Sequence, residues 1–354
     1  MEPFFFSEIL IEWYERNKRV LPWRETSDPY LIWISEIILQ QTRVAQGLDY
    51  YYRFTERFPD VKSLAEAREE EVLKYWQGLG YYSRARNLHA AAKDIQMRFG
   101  GKFPDTYREI LSLKGIGEYT AAAISSFVWE QPYPVLDGNV YRVLSRVFGV
   151  DLPIDSSGAK KYFTQLAGEL LNTECPGLHN QAIMEFGALQ CVPKSPDCTI
   201  CPLNHKCLAF ASGTVDVLPV KKGKVKTKSR YFNYLDIHCR GERLLVQRQG
   251  KDIWQNLYEF PLIETDEEVE FGELQQTEAF KRIFSESEGL KLIQAWGPVK
   301  HVLSHRTIYA RFYALEVEAF TGELQNYIQV SDAAMDNYAV SRLIQLYLEN
   351  KQSK

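Results

Sequence analysis

The chain has 354 residues, 45% hydrophobic and 25% charged, which is the composition of an ordinary soluble globular protein of about two domains. No apolar run approaches the roughly 20 residues that cross a bilayer, and MEPFFFSEILIEWYERNKRV carries acids where a signal peptide needs bases, so the chain is expected to be cytoplasmic with no membrane partner. The net charge of −4 hides 13 Lys+Arg against 19 Asp+Glu in residues 231–354 and 29 against 27 before them, a distribution that permits a nucleic-acid partner without arguing for one.

Residues 1–210 read as helix after helix. One helix opens at Asp28-Pro29, an N-cap followed by proline at the first helical position, and is predicted to run over residues 30–42. It carries Glu36 among Trp33, Ile34, Ile37 and Ile38. A buried glutamate loses solvation of its charged form, so its pKa rises and it can serve as a general acid near neutral pH. A helical glutamate is ordinarily exposed or paired, and the spacing alone does not exclude that.

Further on, Gly78-Leu79-Gly80-Tyr81-Tyr82-Ser83-Arg84-Ala85-Arg86 combines a flexible turn, an aromatic pair and two cations. Leu113-Lys114-Gly115-Ile116-Gly117 then separates helical stretches over residues 105–112 and 118–129. Gly115 and Gly117 permit a tight turn whose N–H groups hold a phosphate without reading sequence. As a bare pattern it is also an ordinary helix-joining turn. Asp137 opens the next helix, where Val140, Val143, Leu144, Val147 and Phe148 recur at the spacing of one buried face. Its local role is N-capping, and the N–H bonds that it accepts are expected to keep it ionised.

Four of the six cysteines, Cys191, Cys198, Cys201 and Cys207, follow the spacing C-x6-C-x2-C-x5-C. Four thiolates in one short loop suit zinc or an iron–sulfur cluster, and ligand chemistry alone does not separate the two. Cys175 and Cys239 are expected to be structural thiols. Residues 220–230 then lose apolar side chains and gain Lys221, Lys222, Lys224, Lys226, Lys228 and Arg230, which marks a linker. Beyond it, residues 231–239, 243–248 and 307–318 have the β-branched and aromatic content of strands, and Val340, Leu343, Ile344, Tyr347 and Leu348 mark a last helix. The expected organisation is a helical domain over residues 1–215 with its cysteine loop at 191–207, a linker at 216–230, and an α+β domain over 231–354.

The segments SEIILQQTRV, LKGIGEYTA, VLDGNVYRVLSR, GLGYYSRARNLHAAA and the cysteine spacing together resemble the MutY-type adenine DNA glycosylases of the endonuclease III superfamily. The resemblance implies a helix–hairpin–helix glycosylase domain, a [4Fe–4S] cluster on the four cysteines and a Nudix-like second domain. It implies that adenine opposite 8-oxoguanine or guanine is flipped from double-stranded DNA and excised by a monomeric enzyme of base excision repair acting at the nucleoid. Glu36 would protonate the adenine and activate water, and Asp137 would stabilise the cationic sugar, with Tyr119 and Asn139 in support. Trp23, Arg24 and Gln181 would line the base pocket. Gln41, Thr42, Leu79 and Tyr81 would engage the lesion and the vacated stack.

Bifunctional relatives place a nucleophilic lysine where this chain has Tyr119, so the resemblance implies a glycosylase without lyase activity. In Leu303-Ser304-His305, similar to the family's lesion-reading loop, leucine replaces the usual phenylalanine, while Ser304 and His305 match. Taken alone, this triplet also reads as the end of a buried strand. Residues 279–284 lack the carboxylates of a Nudix metal box, so nucleotide hydrolysis is not expected there. Two other readings remain at this point: an endonuclease III-like glycosylase/lyase for oxidised pyrimidines, and a non-enzymatic zinc-dependent DNA-binding protein.

Overall fold

The computed structural model describes residues 3–223 and 227–352. Their contacts divide the chain into two units, Met1–Glu66 with Asn87–Gly223, and Ala67–Arg86 with Lys224–Lys354. The sequence boundaries differ from this division, because residues 67–86 make their contacts with the later part of the chain.

Residues 3–212 form twelve helices: α1 (Pro3–Asn17), α2 (Pro29–Leu39), α3 (Val44–Arg57), α4 (Val61–Glu66), α5 (Glu69–Trp76), α6 (Ser83–Phe99), α7 (Tyr107–Ser112), α8 (Glu118–Trp129), α9 (Gly138–Val147), α10 (Ala159–Leu170), α11 (Pro176–Leu189) and α12 (Leu208–Ser212). Helix α2 is apolar around most of its circumference, which makes it a central helix instead of a surface one. Asp28 caps it by accepting from Tyr30 N at 2.8 Å, and everything from Ile32 to Ile38 is buried.

The helix expected over residues 30–42 ends earlier, at Leu39. Gln40 leaves the helix at φ −56° and ψ 111°, its side chain donating to Thr120 Oγ1 at 3.3 Å, and Gln41 takes φ 57°. Likewise α7 starts at Tyr107, not at residue 105, because Thr106 is its cap. Helix α9 follows the periodic reading: Val140, Val143, Leu144 and Val147 are buried in one cluster with Phe6 and Leu10 of α1, Phe163 of α10 and Phe186 of α11. Each such side chain contributes roughly 1.5–3 kcal/mol by leaving water, so α9 is held firmly at the centre of this unit.

The second unit is built on a sheet of β1 (Lys228–Cys239), β2 (Glu242–Gln247), β3 (Tyr258–Glu259), β4 (Leu262–Thr265), β5 (Lys291–Val302), β6 (Arg306–Glu316) and β7 (Ile328–Ser331). Its main path is β3-β2-β1-β6-β5, with β4 added to β1 and β7 to β2. β1 and β6 run parallel, and β5 and β6 form an antiparallel hairpin. One face packs on α15 (Arg342–Gln352) through Leu343, Ile344 and Tyr347. The other packs on α13 (Phe271–Leu274) and α14 (Glu278–Ile283) through Leu274, Phe280 and Ile283.

Two boundaries shift here as well. The linker expected to reach residue 230 stops sooner, since Lys228 already pairs with Arg306 in the parallel ladder. Its start is also tied down, with Lys222 N donating to the Asp155 carboxylate at 2.8 Å and Ile154 N to Val220 O at 3.0 Å. Lys224 and Lys226 lie outside the described residues. Val340 forms a bridge with Tyr258 instead of entering the last helix. Among the described residues no helix is long and apolar enough to cross a membrane.

Candidate active site

Helix α2 delivers Glu36, the start of α8 delivers Tyr119, and the cap of α9 delivers Asp137, all in the first unit. Glu36 is 7% exposed, and burial pushes its carboxyl up to about 7. A hydrogen bond with Tyr119 and the nearby Arg24 charge oppose that rise, while the Asp137 charge adds to it. Burial raises the Tyr119 hydroxyl well above the usual phenol range, and Glu36 and Asp137 raise it further. The phenol therefore stays a donor. These three groups share one electrostatic environment.

Asp137 departs from expectation. Its carboxylate caps α9, accepting from Val140 N at 2.8 Å and from Asn139 Nδ2 at 2.8 Å. Burial nonetheless raises its pKa above the ordinary aspartate value, and the donors from Val140 and Asn139, with the Arg142 charge, offset that only in part. Capping was expected to decide the outcome, and desolvation outweighs it. The pair still differs in kind, since Asp137 has several donors turned on it and Glu36 has Tyr119.

Arg24, Trp23 and Gln181 are held by residues the sequence reading did not single out. Arg24 makes a paired contact with Glu185, Nη1 to Oε1 at 2.9 Å and Nη2 to Oε2 at 2.8 Å. Arg19 binds the same carboxylate through Nε at 2.8 Å. Burial would raise the Glu185 pKa, but the two guanidinium groups win and hold it at about 2. Tyr14 lies under the Arg24 guanidinium and donates to Gln181 Oε1 at 2.7 Å. Trp23 is buried edge-on against Tyr51. Glu185 stands four residues after Gln181 in α11, so helical spacing had already put the two on one face.

Asn139 connects this site to the cysteine loop. Its Oδ1 accepts from Arg142 Nη2 at 2.9 Å, while Arg142 Nε donates to Cys191 O at 2.7 Å. One turn on, Arg146 donates to Val192 O, Pro193 O and Leu218 O, with Nη1 3.5 Å from Cys191 Sγ. Cys191, Cys198, Cys201 and Cys207 line one cavity, walled by Val147, Phe186 and Leu203. Burial raises the thiols of Cys198, Cys201 (to about 11) and Cys207. Among the described residues no three His, Cys, Asp or Glu side chains are grouped as a site for one metal ion.

In the 113–117 hairpin, Gly115 takes φ 82° and a Cβ on it would lie 2.6 Å from the Asn87 Cβ. Gly117 is extended and caps α8 without a side-chain bond, so it needs no glycine geometry and leaves the helix start uncovered. In the second unit, Gly78, Gly80 and Tyr81 all have positive φ, and Tyr81 stands 48% exposed. Leu79 beside it is buried. Arg84 lies under the Tyr81 ring at 5.6 Å. Leu303 N bonds Arg306 O at 2.8 Å, which makes Ser304 and His305 a two-residue hairpin tip. Both are exposed, so the triplet is a loop and not a buried strand end. The Tyr81 hydroxyl and Ser304 Oγ are 2.7 Å apart. Gln41 is exposed and Thr42 half-buried in the turn after α2.

The model of HhH-GPD superfamily base excision DNA repair proteins matches residues 34–167, and a NUDIX domain model matches residues 234–350. The adenine DNA glycosylase of Buchnera aphidicola subsp. Baizongia pistaciae (strain Bp) is 34% identical over 316 residues, 87% of this chain and 85% of that protein. The adenine DNA glycosylase of Rattus norvegicus is 32% identical over 370 residues, 89% of this chain and 71% of that protein. Among solved structures, a thermostable thymine-DNA glycosylase superposes with a TM-score of 0.56 at 27% identity, covering 60% of this chain and 97% of the other. Endonuclease III in a non-covalent DNA complex gives 0.51 at 21% identity, covering 60% and 98%, a likeness of fold. By descent and by fold, the chain belongs to the adenine DNA glycosylase family, enzymes of base excision DNA repair in the HhH-GPD superfamily.

Proposed function

We propose that the chain excises adenine paired with 8-oxoguanine or guanine in double-stranded DNA and leaves an abasic site. The observation that carries this reading is the shared environment of Glu36, Tyr119 and Asp137. Adenine is a poor leaving group until a ring nitrogen is protonated, and Glu36, with a pKa near 7, is protonated in a sizeable share of molecules near neutral pH. It protonates N7 of the flipped base. Asp137 lies close enough to act on Glu36 electrostatically, and its carboxylate balances the oxocarbenium ion or bonds the sugar transiently. Glu36 then takes a proton from the attacking water. Tyr119 orients Glu36, Asn139 orients Asp137, and no lysine stands at this position to cleave the strand.

Trp23, Arg24 and Gln181 shape the base pocket in this proposal, with Arg24 and Gln181 fixed by Glu185 and Tyr14. Gly115 and Gly117 hold a phosphate at the start of α8. Gln41 fills the vacated stack, Tyr81 wedges beside the lesion, and Thr42, Leu79, Ser304 and His305 contact it. The cysteine cavity fits a [4Fe–4S] cluster: four half-buried cysteines face one cavity with apolar walls, and as thiolate ligands they would need more positive charge than Arg146 supplies. Cys191, Cys198, Cys201 and Cys207 would hold the cluster, which supplies a structural cross-link for the loop. The enzyme acts as a monomer at the nucleoid in the cytoplasm.

The test uses duplexes that differ only in one base pair, followed by alkali. We expect cleavage confined to the adenine strand opposite 8-oxoguanine or guanine, and none before alkali. Cleavage at an oxidised pyrimidine, or scission without alkali, would overturn the reading. Brown colour and iron in the purified protein would support the cluster, and zinc in its place would refute it.

A further inference from the structure

We infer that Asp252 is a positioning residue for the hairpin tip formed by Ser304 and His305, and so helps set the preference for 8-oxoguanine over guanine opposite the adenine. The inference rests on the proposal that this tip reads the lesion.

Asp252 lies in the loop between β2 and β3, where Trp254 and Asn256 take φ 59° and 67°. Left-handed backbone at two residues with side chains persists only when surrounding contacts impose it. Three arginines from separate segments meet the Asp252 carboxylate. Arg230 of β1 approaches Oδ2 at 2.6 Å, Arg248 approaches Oδ2 at 3.1 Å, and Arg306 of β6 bonds Oδ1. They differ in what else holds them. Arg230 also binds Glu264 at 2.6 Å, and Arg248 binds Glu259 at 2.7 Å. For Arg306, Asp252 is the only carboxylate partner among the described residues.

Arg306 is the residue that follows the tip. Its backbone closes the two-residue turn through Leu303 N, and Lys228 N donates to His305 O at 3.1 Å from the start of β1. One carboxylate thus ties the starting segments of both parallel strands together, through Arg230 of β1 and Arg306 of β6. On the tip itself, Ser304 meets the Tyr81 hydroxyl. Without Asp252, Arg306 loses its anion and the tip keeps only main-chain bonds and the Ser304 contact. The active-site groups Glu36, Tyr119 and Asp137 belong to the other unit and contain no part of this network. The effect should therefore fall on discrimination.

The experiment compares single-turnover excision of adenine opposite 8-oxoguanine and opposite guanine, with enzyme in excess, for the full chain and for Asp252→Asn, Arg306→Lys and Ser304→Ala. Removing a carboxylate also raises local positive charge, but at saturating enzyme the ratio of the two rates cancels general changes in DNA affinity. We expect Asp252→Asn to lower that ratio roughly tenfold, the scale of a change in a supporting network, with the rate opposite guanine within about twofold of the parent. Arg306→Lys, which keeps the charge on a shorter stem with a compact ammonium head, should fall between the parent and Asp252→Asn. If Asp252→Asn does not fold, Arg306→Lys decides the matter by the same ratio. An unchanged ratio in folded Asp252→Asn, with a lowered ratio in Ser304→Ala, would overturn this inference alone. An unchanged ratio in Ser304→Ala would instead remove the tip from lesion reading.

Discussion

Asp137 and Arg142 are joined through one side chain: the Asn139 amide donates to the Asp137 carboxylate and accepts from the Arg142 guanidinium. Arg142 also donates to Gly187 O at 2.5 Å and to Cys191 O, so one helix orients a candidate catalytic carboxylate and holds the cysteine loop. Arg142→Met would leave those buried acceptors unmet. We expect excision to slow roughly 10- to 100-fold, as when the partners of a ligand or catalytic group are removed, together with faster loss of iron on storage from the proposed cluster. Normal turnover at full iron content would show that Arg142 has no part in orienting Asp137.

Glu36 should report on pH twice. In the proposed mechanism its proton is needed for chemistry, so excision should decline as pH rises through about 7. Glu36→Gln should bind duplex yet lose several powers of ten in rate, a typical deficit for a proton-transfer group acting with a partner. Stability should fall with rising pH as well. The folded pKa lies above the unfolded value, so the folded state binds more protons between about 4.5 and 7 and wild-type stability falls across that window. The accumulated cost above it is about 3 kcal/mol, at roughly 1.4 kcal/mol for each tenfold change. Glu36→Gln should therefore melt higher than the parent at pH 8 and alike at pH 4. Equal melting at both would place Glu36 in contact with water.

Asn180 of α11 braces the chain just ahead of Asp137. It is 1% exposed, its Nδ2 donates to Tyr133 O at 2.8 Å and Ser126 Oγ at 2.9 Å, and its Oδ1 accepts from Val135 N at 3.2 Å. Asn180→Ala strands the buried Val135 N–H and takes a donor from the Ser126 hydroxyl and the Tyr133 carbonyl, so stability should drop by about 2 kcal/mol. If the bracing positions Asp137, the single-turnover rate should fall while duplex affinity holds. A stability loss with an unaltered rate would mark it as a purely structural tie.

Much of this site is legible in sequence because its chemistry leaves local marks. Glu36 stands alone in an apolar helix, Asp137 stands at a helix start, and four cysteines crowd together; each survives in the fold. What escaped reading depends on distant partners. Glu185 looks like any helical acid until Arg19 and Arg24 arrive from the other end of the unit. The sign of the Asp137 shift depends on how much protein closes over it, which a capping pattern cannot report. Residues 67–86 read as one more helix-and-turn stretch, yet Tyr82 donates to Val340 O and Asn256 reaches Glu69. For that reason deleting residues 231–354 would also strip partners from the turn bearing Tyr81, and point changes at Ser304 or Asp252 are the cleaner probes of lesion reading.

Glu185 offers the last test, because its two roles separate with pH. Its carboxylate is 1% exposed and is matched by Arg19 and Arg24. Glu185→Gln would leave two guanidinium groups without their anion, and breaking a buried pair in this way costs about 3 kcal/mol. Since the folded pKa is depressed to about 2, the ion-pair contribution is present above the unfolded value near 4.5 and is lost as pH falls toward 2. The melting difference between parent and Glu185→Gln should thus be largest at neutral pH and shrink below pH 4.5. The catalytic consequence should appear at neutral pH as weaker use of the base pocket, since Arg24 and, through Tyr14, Gln181 lose their anchor. A variant that melts lower yet excises adenine at the parental rate would confine Glu185 to stability and take Arg24 out of the pocket.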